Sequence, residues 1–227
     1  MSKPFSLSIK SGSLAEYTAN QITQFFPDEY DDCIIHLRTI IDDTLDRIFG
    51  CFSRINNKYY TDGTNVLFNH LNSDHYSMFL YLLGNTLYRI SQEKEDAIRT
   101  ADKLFLLNKA LHGIDAYYRI KLPEVFVFVH PVGTVLGRAR YGNYFMVYQN
   151  CTIGALEGDT YPEFGDYIIM FSGASIIGTS KVGSNIVFGA RSFICNVDVP
   201  DDCVVTGMYP NHEFSTNNIH VKNRKFF

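Results

Sequence analysis

Phe164, Met170, Ile176, Val182, Phe188 and Ile194 stand six residues apart without a slip. An amphipathic helix repeats its apolar residues at three and four, and a strand of an open sheet at two. A period of six suits a parallel β-helix instead, in which three short faces make one coil and each residue on the beat points into a narrow core. Two residues ahead of the later beats lie Ala174, Ser180, Ile186 and Ser192, mostly small, while Gly165, Gly183 and Gly189 follow theirs by one. Small side chains fit tight corners, and glycine accepts backbone that a Cβ forbids. Run backward, the period breaks at Ala155–Glu163, which reads as a loop thrown out of the coil. Ahead of it Phe145 and Cys151 resume the beat, and one missing residue near Arg140 restores Thr134, Phe128 and Leu122. The pattern predicts roughly four coils of about three hexads each, from about Tyr117 to Val205, with Val199-Pro200-Asp201-Asp202 ending the repeat.

Upstream the spacing is helical. Leu14–Phe26 is amphipathic, with Ser13 as a candidate N-cap and Pro27 as a stop. Ile34 to Phe52 carries a broad apolar stripe, Val66–Leu71 and Tyr76–Ile90 read as two further helices with Ser73 or Asp74 capping the second, and Ala97–Ile114 as another. These helices are too apolar to stand singly. The organisation expected is α+β: a helical domain over 1–115, a parallel β-helix over 116–210 and a tail over 211–227.

A formal charge of −4 leaves no footprint for nucleic acid or an acidic membrane surface. The five cysteines are odd in number and lack CxxC spacing, so neither a disulfide framework nor a zinc knuckle is expected. The first residues lack an apolar signal region and no stretch is apolar enough to span a bilayer, which makes the cytoplasm the expected compartment. Only His130 among the histidines falls inside the repeat, so a three-histidine zinc site between coils is not expected, and no metal is implied.

His130 has company. Asp115 precedes it by fifteen residues, and Pro131, Val132, Gly133 and then Gly137 follow it. Asn143 to Gly154 includes Gln149, Thr152, Ile153 and Gly154; Val199-Pro200 is followed by Gly207; and the helical part holds Asp74-His75-Tyr76-Ser77 and Tyr88-Arg89. In these motifs, and in the order helices then coils, the chain resembles the serine acetyltransferases, a branch of the hexapeptide-repeat acyltransferases. The resemblance implies a left-handed coil, acetyl-CoA as co-substrate and a homotrimer, possibly doubled through the helices. It further implies His130 as catalytic base oriented by Asp115, with coenzyme A lying along the coils between subunits against Ala155, Ser172, Gly173 and Ala190. Such chemistry is physically coherent. Acetyl transfer from a thioester to a hydroxyl needs a base near the hydroxyl, a neutral imidazole suits that task, and a carboxylate on its other nitrogen steadies the imidazolium.

Departures from the family pattern bear on the acceptor. Val129 stands where the family has an acid, Thr160-Tyr161-Pro162 where it has Arg-His-Pro, Arg138 where it has Glu, and Ala116-Tyr117-Tyr118 where it has Ile-His-Pro. An amino acid zwitterion needs a partner for each charge, and these substitutions remove two. The expected acceptor is therefore a sugar hydroxyl of a surface polysaccharide or its precursor, met by Tyr161, Thr160, Arg138 and Asp74. Two alternatives stay open: a serine acetyltransferase with a rearranged pocket, and a catalytically inactive β-helix serving as an assembly or regulatory subunit.

Overall fold

The structure, a computed structural model, describes residues 3–28, 33–91, 94–158 and 160–227. Four helices come first: α1 (Ser11–Phe25), α2 (Cys33–Phe52), α3 (Ser73–Ile90) and α4 (Glu95–His112). Val66–Leu71 is not helical. Its first half forms strand β2 (Val66–Phe68), paired in parallel with β1 (Phe5–Leu7). So short a run cannot carry the cost of helix nucleation alone, whereas an adjacent extended segment satisfies its backbone. The cap of α3 is Asn72, whose side chain accepts from the N–H groups of Asp74 (3.0 Å) and His75 (3.3 Å). That leaves the Asp74 carboxylate free for another partner. Similarly, α1 starts after Lys10, with Ser13 inside its first turn.

From Asp115 the chain winds into a left-handed parallel β-solenoid of about five turns, one more than the sequence suggests. The second face holds β3 (Asp115–Ala116), β5 (Val135–Leu136), β7 (Thr152–Gly154), β10 (Ser175–Ile177) and β13 (Phe193–Cys195). The face toward the helices is β4 (Phe126–Phe128), β6 (Phe145–Val147), β9 (Ile168–Met170), β12 (Ile186–Phe188) and β14 (Cys203–Thr206). A third, shorter face pairs β8 (Glu163–Phe164) with β11 (Lys181–Val182) and is extended by bridges at Arg140 and Val199. Phe164, Met170, Ile176, Val182, Phe188 and Ile194 are all buried, as the period requires. Each such side chain contributes about 1.5–3 kcal/mol on full burial. Stacked corners are tight: a Cβ on Gly165 would lie 2.9 Å from the carbonyl of Gly183.

Extrapolated backward, the beat is two residues out of register. Val147 pairs with Met170 and Ile153 with Ile176, so Val147 and Ile153 carry the beat. Phe145 and Cys151 fall two places earlier, Cys151 in the small-residue column with Ala174, whose carbonyl accepts from Thr152 N–H. Both columns are buried, so apolarity alone cannot tell them apart. Phe128 returns to the beat, paired with Val147, only because two extra residues intervene before Leu136.

The last residues are not a loose tail. β15 (Glu213–Thr216) runs antiparallel to β14, and α5 (Val221–Lys225) follows with Val221 and Phe226 buried. The Phe226 ring meets Tyr144 edge-on at 5.2 Å, Ile55 bridges Phe226, and Asn56 N–H donates to the Lys225 carbonyl at 2.8 Å. The chain end is thereby bound to the turn after α2.

α3 is the buried helix of the N-terminal half and packs on the helix-facing solenoid face. Beside it His75 and His112 are buried, and burial pushes both imidazoles down to about 4 from an ordinary 6.5. The unfolded chain then takes up protons that the folded chain refuses as pH drops below 6.5. Stability should accordingly be full above about pH 6.5 and fall progressively toward pH 4, read as a lower urea midpoint at pH 5 than at pH 7.5.

Candidate active site

Eight residues separate Phe128 from Leu136, whereas six separate Val147 from Ile153, Met170 from Ile176 and Phe188 from Ile194, the partners in the same columns. The excess lies at His130-Pro131: Val129 N–H still bonds Val147 O, and Val132 O already accepts from Asn150 N–H. His130 is thus pushed out of the corner as a bulge. Its φ is +48°, a conformation that costs a non-glycine residue about 1–3 kcal/mol and needs an external hold. Asp74 supplies that hold. From the first turn of α3, its Oδ1 accepts the His130 backbone N–H at 2.9 Å and lies 3.7 Å from the ring Nδ1.

The two side chains sit in opposite surroundings. Asp74 is 16% exposed and His130 is 74% exposed, so the imidazole faces incoming molecules while the carboxylate backs it. Burial raises the Asp74 carboxyl above its ordinary range, and the His130 N–H and the His130 ring charge pull it partly back. A cavity of about 120 Å³ opens beside the pair, lined among others by Asn56, Tyr59, Val129, Tyr148 and Lys225. An accessible imidazole against an anchored carboxylate can take a proton from a hydroxyl held in that cavity.

Asp115 lies in β3 with its carboxylate 2.6 Å from Lys109 Nζ, and the carboxylate facing His130 is Asp74. The bulge carries His130 toward the N-terminus of α3, a displacement that counting residues along a coil does not reveal. Ser172, Gly173 and Ala190 do share an edge with His130: Gly173 N–H bonds Gln149 O, Arg191 N–H bonds Ser172 O, and these corners stack on the one that holds the bulge. On the same edge the Gln149 Oε1 is buried without a hydrogen-bond partner. Ala155, Arg138, Thr160 and Tyr161 belong to the next edge, after β7 and β5, where Gly137 N–H bonds Ile153 O and Thr160 Oγ1 donates to Glu157 O at 3.2 Å. Asp159 of that loop lies outside the described residues. One chain therefore places the expected site residues on two adjacent edges. In the sequence the basic cluster Lys222, Arg224 and Lys225 reads as a solvated tail and Asn56 as the start of a turn-rich break, so neither Lys225 nor Asn56 is expected at a site. No local motif marks them, and only the return of the chain end brings them to the pocket.

Among the described residues no group of three His, Cys, Asp or Glu is placed to hold a metal ion, and no helix is long and apolar enough to cross a membrane. No family model matches the chain. It is similar to the serine acetyltransferase of Synechococcus elongatus, 30% identical over 45% of this chain and 43% of that protein. It is also similar to that of Staphylococcus aureus, 26% identical over 64% of this chain and 67% of that protein. The matches thus span from under half to about two thirds of these relatives' length. Among solved structures, a serine acetyltransferase in complex with CoA superposes with a TM-score of 0.67 at 19% identity, covering 90% of this chain and 84% of that one, a likeness of fold.

These relatives overturn the sugar acceptor and polysaccharide modification expected above. The inference counted charges only within the repeat and its loop. The pocket nevertheless carries both signs, with Asp74 from α3 and Lys225 from α5. Asp74→Ala should destabilise the chain in urea unfolding by about 1–3 kcal/mol by stranding the His130 N–H, and Asp74→Asn, which keeps an acceptor, by less. In sequence the chain is serine acetyltransferase-like, and in fold it shares the helical region followed by a parallel β-solenoid of the solved serine acetyltransferases.

Proposed function

We propose that the chain is a serine O-acetyltransferase that moves the acetyl group of acetyl-CoA to the side-chain hydroxyl of L-serine. The observation that carries this reading is the exposed imidazole of His130 set against the half-buried Asp74 carboxylate at the mouth of a cavity of small-molecule size. His130 removes the hydroxyl proton as the serine oxygen attacks the thioester carbon. The C–S bond then breaks, and the proton passes from the imidazolium to the departing thiolate. Asp74 stabilises the imidazolium formed on the way and fixes the bulge that carries it. Asp115, anchored by Lys109, positions the first coil under the bulge, where Gly133 N–H bonds Gly113 O. The pantetheine arm runs along the edge of Ser172, Gly173 and Ala190, where backbone groups and the unpartnered Gln149 Oε1 can meet its amides. The free thiols of Cys51, Cys151, Cys195 and Cys203 suit a reducing cytoplasm.

The same reading includes a homotrimer. The edge carrying Ala155, Arg138, Thr160 and Tyr161 is separated from the His130 edge by one solenoid face, and apolar Val132 and Val135 lie exposed beside that face. Threefold packing would cover those residues and set the loop edge of one chain against the His130 edge of the next. Sedimentation equilibrium at micromolar concentration should return the mass of three chains; a monomer would remove the composite site.

Release of CoA thiol from acetyl-CoA with L-serine tests the activity. The wild-type chain should turn over, and His130→Ala should lower kcat by about 10²–10⁴ with an unchanged circular dichroism spectrum. Turnover of His130→Ala near the wild-type rate at saturating serine would remove His130 from the mechanism.

A further inference from the structure

The serine reading leaves one requirement unmet by the repeat: something must bind the acceptor's carboxylate. The extruded loop offers Thr160 and Tyr161, neither of which carries a fixed positive charge. Among the described residues that line the pocket holding Asp74 and His130, Lys225 is the one lysine or arginine. Its placement is built rather than incidental. Val221 is fully buried, the Phe226 ring meets Tyr144 edge-on, and the backbone at and just after Lys225 is bonded to the turn after α2 through Asn56 N–H to Lys225 O at 2.8 Å and Phe227 N–H to Arg54 O at 3.0 Å. Among the described residues the recorded ion pairs leave the Lys225 ammonium without a carboxylate. Asp74 is the carboxylate lining the cavity, and it is engaged with His130.

We propose that Lys225 is the carboxylate anchor of the acceptor site, so that an α-amino acid is held with its carboxylate on Lys225, its ammonium toward Asp74 and its side-chain hydroxyl at His130. This inference rests on the serine O-acetyltransfer reading and names the residue that sets its specificity. The chemistry selects itself. A neutral polyol leaves the Lys225 ammonium without a counter-charge in the pocket, whereas the carboxylate of a zwitterion supplies one and its ammonium can approach Asp74. The anchor comes from the chain end rather than from the loop that the family uses, which accounts for a loop that has lost its basic residues in a chain that keeps the rest of the motif.

The test compares L-serine with L-serinamide, which has the ammonium and the hydroxyl but no carboxylate. In Lys225→Met the KM for L-serine should rise about 10- to 100-fold with kcat changed by less than about threefold, as expected for loss of a charge-assisted bond made equally in ground and transition states. The KM for L-serinamide should be unchanged, and Lys225→Arg should restore the KM for L-serine. A KM for L-serine within about twofold of wild type in Lys225→Met, or an equal rise for both acceptors, overturns the anchor, because a packing defect would not discriminate between them. If the wild-type chain binds acetyl-CoA but leaves L-serine untouched, the functional reading fails. Calorimetric titration with L-serine then decides the anchor: binding to wild type that Lys225→Met abolishes upholds it, and equal binding to both or no binding to either overturns it.

Discussion

The hydrogen bond from the His130 backbone N–H to Asp74 joins the two halves of the molecule at the point where both are under constraint. On the solenoid side, His130 occupies positive φ in a corner two residues longer than those stacked above it. On the helical side, Asp74 is a half-buried carboxylate in the first turn of α3, favoured there by the helix dipole and disfavoured by desolvation. Each arrangement meets the other's need, since the bulge gains an acceptor and the carboxylate gains a donor. A charge-assisted bond of this kind is worth about 1.5–3 kcal/mol, comparable to the strain at His130.

That bond can hold its geometry only if α3 is held against the solenoid, and several contacts do so. Tyr81 meets Phe126 edge-on at 5.5 Å, donates to Ile120 O and accepts from Leu122 N–H. Asn85 donates to Tyr118 O at 2.7 Å, and Cys51 of α2 lies 3.2 Å from Phe126 O with burial pushing its thiol up to about 12. The segment leading into the first full coil is therefore pinned along the length of α3. The cap by Asn72 completes the arrangement, because it satisfies the helix end without using the residue that the site requires.

What was legible in the sequence follows from how many neighbours constrain a residue. Met170, Ile176 and Val182 repeat at six because the coil above and the coil below both dictate their size, and the period declares the solenoid outright. The register before the loop was not legible, since Phe145 and Val147, or Cys151 and Ile153, are equally buried. The bulge at His130-Pro131 was hidden for the same reason: two added residues cancel the two-residue misregister, so Phe128 returns to the beat and the count looks unbroken. His130 stood out by its motif, whereas its contact with Asp74 did not, because a contact across the junction between helices and coils leaves no spacing to count. Val66 read as helical from composition alone, and the strand partner at Phe5–Leu7 lies too far away in sequence to be read from a window.

A solenoid restricts where chemistry can vary. Any residue within a regular coil must fit the coils on both sides, as the stacked Gly165 and Gly183 illustrate, so a change there propagates along the column. Freedom exists only where the repeat is broken: the two-residue bulge, the excursion after β7, and the ends. His130 belongs to the first, Thr160 and Tyr161 to the second, and Lys225 to the third. An acceptor site assembled from such interruptions can exchange one charged group for another at a distant point in the chain while the coils beneath stay unchanged. Loss of a basic loop is then weak grounds for inferring a new acceptor, because the charge that matters is the one at the pocket, whichever interruption supplies it.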